Sequence, residues 1–179
     1  HNMKVLLATS KPFASQAVIG IQNVIESAGY KFEKLENYSE KSQLLDALID
    51  VDALIVRSDI IDAEIINKAP NLKIIVRAGA GYDNVNILAA EEKGICVMNT
   101  PGQNANAVAE LVYGMMIYMQ RNQFDGSVGR ELKNRRLGLY AFGNVAKKVA
   151  RIARGFNMAV YAFSPTLTHD DLRKEGEDG

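Results

Sequence analysis

Leu72-Lys73-Ile74-Ile75-Val76-Arg77-Ala78-Gly79-Ala80-Gly81-Tyr82-Asp83-Asn84, running on into Val85 to Lys93, is the stretch that decides how this chain is built. A short apolar run, Leu72 to Val76, leads into a turn with two glycines and then into a helical segment closed by Gly94. A strand that is apolar throughout is buried on both faces, as strands of parallel sheets are. Strand, turn and helix in that order make half of a βαβ unit.

The same alternation extends on either side. Toward the amino end, Ala53-Leu54-Ile55-Val56-Arg57 reads as a buried strand, and Asp62 to Ala69 as a short helix stopped by Pro70. Before them come a strand at Lys4 to Thr9 and a helix at Ala14 to Ala28, with Val18, Ile21, Val24 and Ile25 expected on one face and Gly29 closing it. A weaker strand follows at Lys31 to Leu35. Ser39 to Ile49 reads as a helix with Ser39 as N-cap and Leu44, Leu45 and Leu48 as its stripe. Toward the carboxyl end, Ile95 to Met98 is a fifth strand. The expectation is a parallel five-stranded, flavodoxin-like sheet over residues 1–100, with helices on both faces.

Beyond residue 100 the texture changes. Asn104 to Arg121 reads as one long helix whose apolar residues, Val108, Leu111, Val112, Met115, Met116 and Met119, cover more than one sheet face needs. Gln123 to Lys133 is polar and Gly-rich, the mark of a boundary. A second βαβ unit follows: Leu137 to Phe142, a helix from Asn144 to Phe156, and Ala159 to Phe163. Thr168 then caps a further helix. The chain reads as α/β throughout. It divides into a domain at 1–100, a connecting helix at 101–125 and the first part of a Rossmann domain at 126–179.

Bulk properties exclude several function classes. Formal net charge is zero, whereas phosphate-backbone binding needs an excess of Lys and Arg, so no nucleic-acid partner is expected. The cluster Lys133, Arg135, Arg136, Lys147 and Lys148 reads as solvated faces. No apolar run approaches the roughly 20 residues of a membrane span, and no signal peptide is visible, so a cytoplasmic setting is expected. Met3 reads as the natural start. The single cysteine, Cys96, lies in an apolar run and is expected to be a buried, inert thiol. With His1 and His169 both near the termini, no metal site is expected.

Two turns carry candidate chemistry. Arg57 and Arg77 end adjacent strand-like runs, and Gly79, Ala80 and Gly81 follow Arg77. Ligands of open α/β sheets sit beyond the carboxyl ends of strands. Two arginines beside a glycine turn whose N–H groups form an anion nest would suit a small dianion. A turn that is merely shaped by Gly79 and Gly81, with solvated arginines, fits the same residues. The second turn is Ala141-Phe142-Gly143-Asn144-Val145-Ala146. A dinucleotide fingerprint needs glycines for the tight turn and for close approach of the pyrophosphate to a helix N-terminus. Only Gly143 is glycine here. Ala146 is a tolerated variant, Ala141 is a departure, and Ser164 stands where a ribose-binding acid is expected. A strand-to-helix turn with no nucleotide fits these residues too.

Taken together, Val56-Arg57-Ser58, Val76 to Val85, Val97-Met98-Asn99-Thr100-Pro101-Gly102, Ala109-Glu110-Leu111, and Leu137-Gly138-Leu139 running into Phe142-Gly143-Asn144-Val145 resemble the D-isomer-specific 2-hydroxyacid dehydrogenases, in particular the phosphoglycerate dehydrogenase branch. The resemblance spans the chain in the family's order. It implies a substrate domain followed by a nucleotide domain and NAD as cofactor. By that resemblance Arg57, Arg77, Gly79, Ala80 and Gly81 bind the substrate, and Ala80, Gly143, Asn144, Val145 and Ser164 bind the cofactor. Ser164, replacing an acid, leaves NADP open. The reaction implied is oxidation of 3-phosphoglycerate to 3-phosphohydroxypyruvate, toward serine, by a homodimer whose helix from Asn104 lies between domains and subunits. The family's catalytic arginine, carboxylate and acid/base fall beyond residue 179, so the resemblance assigns no catalytic residue here and implies an inactive front portion of a longer enzyme.

Other readings stand beside it. One keeps the family with another 2-hydroxy acid as substrate. Another is a non-catalytic flavodoxin-like binding or dimerising module. A phosphoacceptor domain would need acids after the first and third strands, where Thr9-Ser10 and Arg57-Ser58 stand instead.

Overall fold

A computed structural model describes residues 2–177. They divide into two compact units between Pro101 and Gly102.

The first unit is a single sheet of five parallel strands, β1 (Lys4–Thr9), β2 (Lys31–Glu36), β3 (Ala53–Val56), β4 (Ile74–Arg77) and β5 (Cys96–Asn99), in the order β2-β1-β3-β4-β5. This is the flavodoxin order expected of a doubly wound sheet. The helices between strands are α1 (Ser15–Ser27), α2 (Lys41–Ala47), α3 (Ala63–Asn67) and α4 (Ile87–Glu92). The central strands are buried because they are apolar on both faces: Leu6, Leu54, Val56 and Ile75 are all essentially inaccessible, packed with Leu44, Leu48, Ile61 and Ile66. Register aligns the strand ends. Val56 lies beside Arg77, and Arg77 beside Asn99.

Caps set the helix starts. Asp62 and Asn86 each accept an N–H three residues on, at 3.0 Å, and so begin α3 and α4. The expected cap at Ser39 is not used. The N-cap is instead Glu40, one residue later, where the Gln43 side-chain oxygen accepts the N–H groups of both Ser39 and Glu40 at 3.0 Å. Val24 is 70% exposed rather than inward. At 3.6 residues per turn it stands about 120° from Val18, off the stripe that Ile21 and Ile25 share.

Cys96 also departs from expectation, since its thiol is exposed. It sits on β5, the edge strand, where Cys96 and Met98 are exposed and Val97 between them packs on the core.

The second unit opens with α5 (Ala105–Gln120) and a 3₁₀ turn at Asn122–Phe124. A βαβ unit follows, made of β6 (Arg136–Tyr140), α6 (Asn144–Gly155) and β7 (Ala159–Phe163), and then α7 (His169–Glu177). β6 and β7 are parallel, with Tyr140 beside Phe163. α5 packs on α6 through Ala109, Tyr113, Val149 and Ala153. The Tyr113 ring stacks on Phe156 at 5.1 Å, and its hydroxyl donates to the Val149 carbonyl. One face of the two-stranded sheet is bare, with Tyr140 88% exposed. The outward side of α5 exposes Leu111, Met115 and Met119. Among the described residues no helix is long and apolar enough to cross a membrane.

Candidate functional sites

In the first unit the candidate residues gather at the carboxyl edge of the sheet. Arg57 directly follows β3, and Arg77 is the last residue of the neighbouring β4. The Arg57 guanidinium is exposed and lies over the Phe13 ring, 5.8 Å from its centroid, which is within cation–π range. Arg77 is half-buried, and its Nε is inaccessible with no hydrogen-bond partner. Its guanidinium crosses back over the turn: a Cβ on Gly79 would lie 1.5 Å from an Arg77 terminal nitrogen. Any side chain at 79 would therefore have to displace the guanidinium.

None of Gly79, Ala80 and Gly81 takes a left-handed φ. The Gly79 N–H donates to the Arg77 carbonyl at 2.9 Å. The turn is tied to β5 by Thr100 N–H on the Gly79 carbonyl at 2.9 Å and by the Asn99 side chain on the Ala80 carbonyl. Ala80 and Gly81 are exposed beyond it.

Sequence reasoning missed a buried polar cluster at the same edge. Asp59 is 4% exposed, and its Oδ1 accepts from Ser10 N–H and from the Tyr38 hydroxyl, each at 2.7 Å. The Asn84 side chain donates to the Asp59 carbonyl at 2.7 Å. Burial, then the bond to Asp59, pushes the Tyr38 hydroxyl well above the ordinary tyrosine range, so it stays a neutral donor. An aspartate just past a strand end was the available signal. Its partners are far away in sequence.

In the second unit the turn from β6 to α6 has the shape of a dinucleotide turn. Ala141, at the first fingerprint position, takes φ +77°, the left-handed conformation that glycine normally supplies there. Its N–H donates to the Phe163 carbonyl at 2.7 Å, closing the turn against β7. Gly143 is the N-cap of α6, with no side chain satisfying the first N–H groups. A Cβ built on Gly143 meets nothing within 4 Å, so there is open space over the helix N-terminus. N–H groups of the first helical turn, including those of Asn144 and Val145, have no partner within the helix. They bring the positive end of the helix dipole to that space, which suits a phosphate. Ser164 follows β7, and its Oγ accepts from Thr166 and Leu167 N–H at 3.3 Å, bracing the loop without a carboxylate. Asn144 stands over Gly102, whose φ is +78° and whose Cβ would come within 3.1 Å of the amide nitrogen.

A family model for the D-isomer specific 2-hydroxyacid dehydrogenase catalytic domain matches residues 13–174. The chain belongs to that family. It is 39% identical to the hydroxypyruvate reductase of Thermotoga maritima over 162 residues, covering 83% of this chain and 53% of the relative. It is 37% identical to the D-3-phosphoglycerate dehydrogenase of Methanocaldococcus jannaschii over 150 residues, 76% of this chain and 29% of the relative. Among solved structures, NAD+-bound 3-phosphoglycerate dehydrogenase of Entamoeba histolytica is 47% identical, with a TM-score of 0.90 over 96% of this chain and 57% of that one. The chain thus spans about half the length of the first of these relatives, or less for the second.

Proposed function

We propose that this chain carries the substrate-binding and part of the cofactor-binding machinery of an NAD-dependent dehydrogenase acting on 3-phosphoglycerate. The observation that carries the reading is the pair Arg57 and Arg77 on adjoining strand ends beside an exposed two-glycine turn. Two guanidiniums suit a substrate with both a carboxylate and a phosphate, because each can bind an oxyanion through paired N–H donors. On this reading Ala80 and Gly81 line the carboxylate, and Ala80 also contacts the cofactor. The open space at Gly143 and the N–H groups of Asn144 and Val145 fit a pyrophosphate, and Ser164 stands near the ribose. Bound nicotinamide would supply the hydride acceptor. The residues assigned here bind and orient, and none is assigned proton transfer. With no carboxylate at Ser164 to repel a 2′-phosphate, NADP is tolerated. The exposed outward side of α5 suits a homodimer contact.

A second reading, hydroxypyruvate as substrate, is favoured by the Thermotoga maritima relative. Calorimetric titration of the chain with 3-phosphoglycerate, D-glycerate and hydroxypyruvate separates the two. We expect 3-phosphoglycerate to bind at least tenfold tighter than D-glycerate. Arg57→Ala and Arg77→Ala should each weaken it about tenfold or more, since a hydrogen bond to a charged group contributes about 1.5–3 kcal/mol. Equal or tighter binding of the unphosphorylated acids would move the assignment to hydroxypyruvate.

A further inference from the structure

One buried carboxylate ties together the loops at the carboxyl edge of the first sheet. Asp59 lies two residues after Arg57, between β3 and α3. Through Ser10 N–H it holds the loop between β1 and α1, and through the Tyr38 hydroxyl the loop between β2 and α2. Its carbonyl takes the Asn84 side chain from the loop between β4 and α4, and the same Asn84 nitrogen reaches the Arg57 carbonyl at 3.4 Å. Phe13, whose ring lies under the Arg57 guanidinium, belongs to the loop that Ser10 begins. Both bonds fall on Oδ1, and Oδ2 is inaccessible with no hydrogen-bond partner, a costly arrangement for a buried carboxylate. Packing alone would be served as well by an apolar residue. Arg57, by contrast, is a long exposed side chain that loses rotamer freedom when it binds an anion.

We propose that Asp59 is a positioning residue for Arg57. Through Ser10 it sets the loop that carries Phe13, and through its own backbone and Asn84 it sets the segment that carries Arg57. The guanidinium is thereby presented to the substrate anion already oriented, with the Phe13 ring as its floor. This rests on the reading of Arg57 as an anion-binding residue.

The test is a double-mutant cycle on the 179-residue chain, read as the dissociation constant for 3-phosphoglycerate, with unfolding midpoints measured on every variant. Asp59→Leu keeps the bulk of the side chain and removes the acceptor of both bonds. Phe13→Leu keeps apolar bulk and removes the ring. We expect Asp59→Leu to weaken binding about tenfold and Phe13→Leu several-fold with Arg57 present, and each by less than twofold in an Arg57→Ala background. A merely structural role predicts the same loss in both backgrounds, and that result would overturn the proposal, as would a folded Asp59→Leu chain that binds normally. Should Asp59→Leu fail to fold, the Phe13→Leu cycle decides: coupling to Arg57 supports the proposal and additivity overturns it. Arg57→Ala binding as well as the unaltered chain would overturn the reading of Arg57 and this inference together. Arg57-dependent binding with an additive cycle overturns this inference alone.

Discussion

Gly79 and Gly143 stand at corresponding places, each just past a parallel strand and before the next helix, yet they are glycine for different reasons. At Gly79 the space where a Cβ would go is already filled by the Arg77 guanidinium, 1.5 Å away. At Gly143 the space is empty to 4 Å. The one residue of the second turn whose backbone does favour glycine, at φ +77°, is Ala141. A glycine in a strand-to-helix turn thus has three separable uses: admitting a side chain of the protein itself, leaving room for a ligand, and bending the backbone. Only the surroundings of each residue in the fold tell them apart.

The largest effect should come from filling the occupied space. In Gly79→Val the added side chain must displace Arg77, because a flexible guanidinium yields before backbone does. Loss of 3-phosphoglycerate affinity should match that of Arg77→Ala, about ten- to a hundredfold. Combining the two changes should add little to either alone, which calorimetric titration of the double variant would show. An additive loss would mean that Gly79 acts on the substrate directly and that the contrast between the turns is smaller than the geometry indicates.

Filling the empty space should separate ligand from fold. Aspartate is a better N-cap than glycine by a few tenths of a kcal/mol, so Gly143→Asp should leave the unfolding midpoint unchanged or slightly raised. The same carboxylate would face an incoming pyrophosphate, and NAD+ affinity should fall at least tenfold. Thermal unfolding and NAD+ titration on one sample check both. A variant that binds NAD+ normally would mean that the open space is not a phosphate site.

The architecture was readable because it is written locally. Uninterrupted apolar runs made the strands of the first sheet other than the charged edge strand β2; Asp62, Asn86 and Thr168 capped helices as their side chains suggest, and β7 spans the residues of its apolar run. Some departures are local: the cap moves from Ser39 to Glu40 through Gln43, and Val24 lies off the stripe of its own helix. Others depend on neighbours distant in sequence. Cys96 is apolar in context but stands on an edge strand, and its position in the sheet is set by pairing with β4. Asp59 meets partners 49, 21 and 25 positions away, at Ser10, Tyr38 and Asn84, and no spacing rule links them. The candidate sites were therefore legible as positions at strand ends and illegible as networks.

The smallest effect bears on the third use of glycine. A non-glycine residue in the left-handed region costs about 1–2 kcal/mol. Replacing Ala141 by glycine removes that strain but adds conformational freedom to the unfolded chain, which costs about 0.5–1 kcal/mol. The net gain in Ala141→Gly should be about 0.5–1 kcal/mol. For a unit of this size that is a rise of about 2–8 °C in the transition that reports the second unit. The bond from residue 141 N–H to the Phe163 carbonyl needs no side chain and should survive. Because the turn already holds its shape with alanine, NAD+ affinity should change by less than about twofold. Calorimetry and the NAD+ titration together decide the matter. A stabilised variant with unchanged affinity means that the turn is formed before the cofactor arrives. A large gain in affinity would mean that alanine holds the turn away from its binding geometry, so that the departure at Ala141 and the empty space at Gly143 act on the cofactor together.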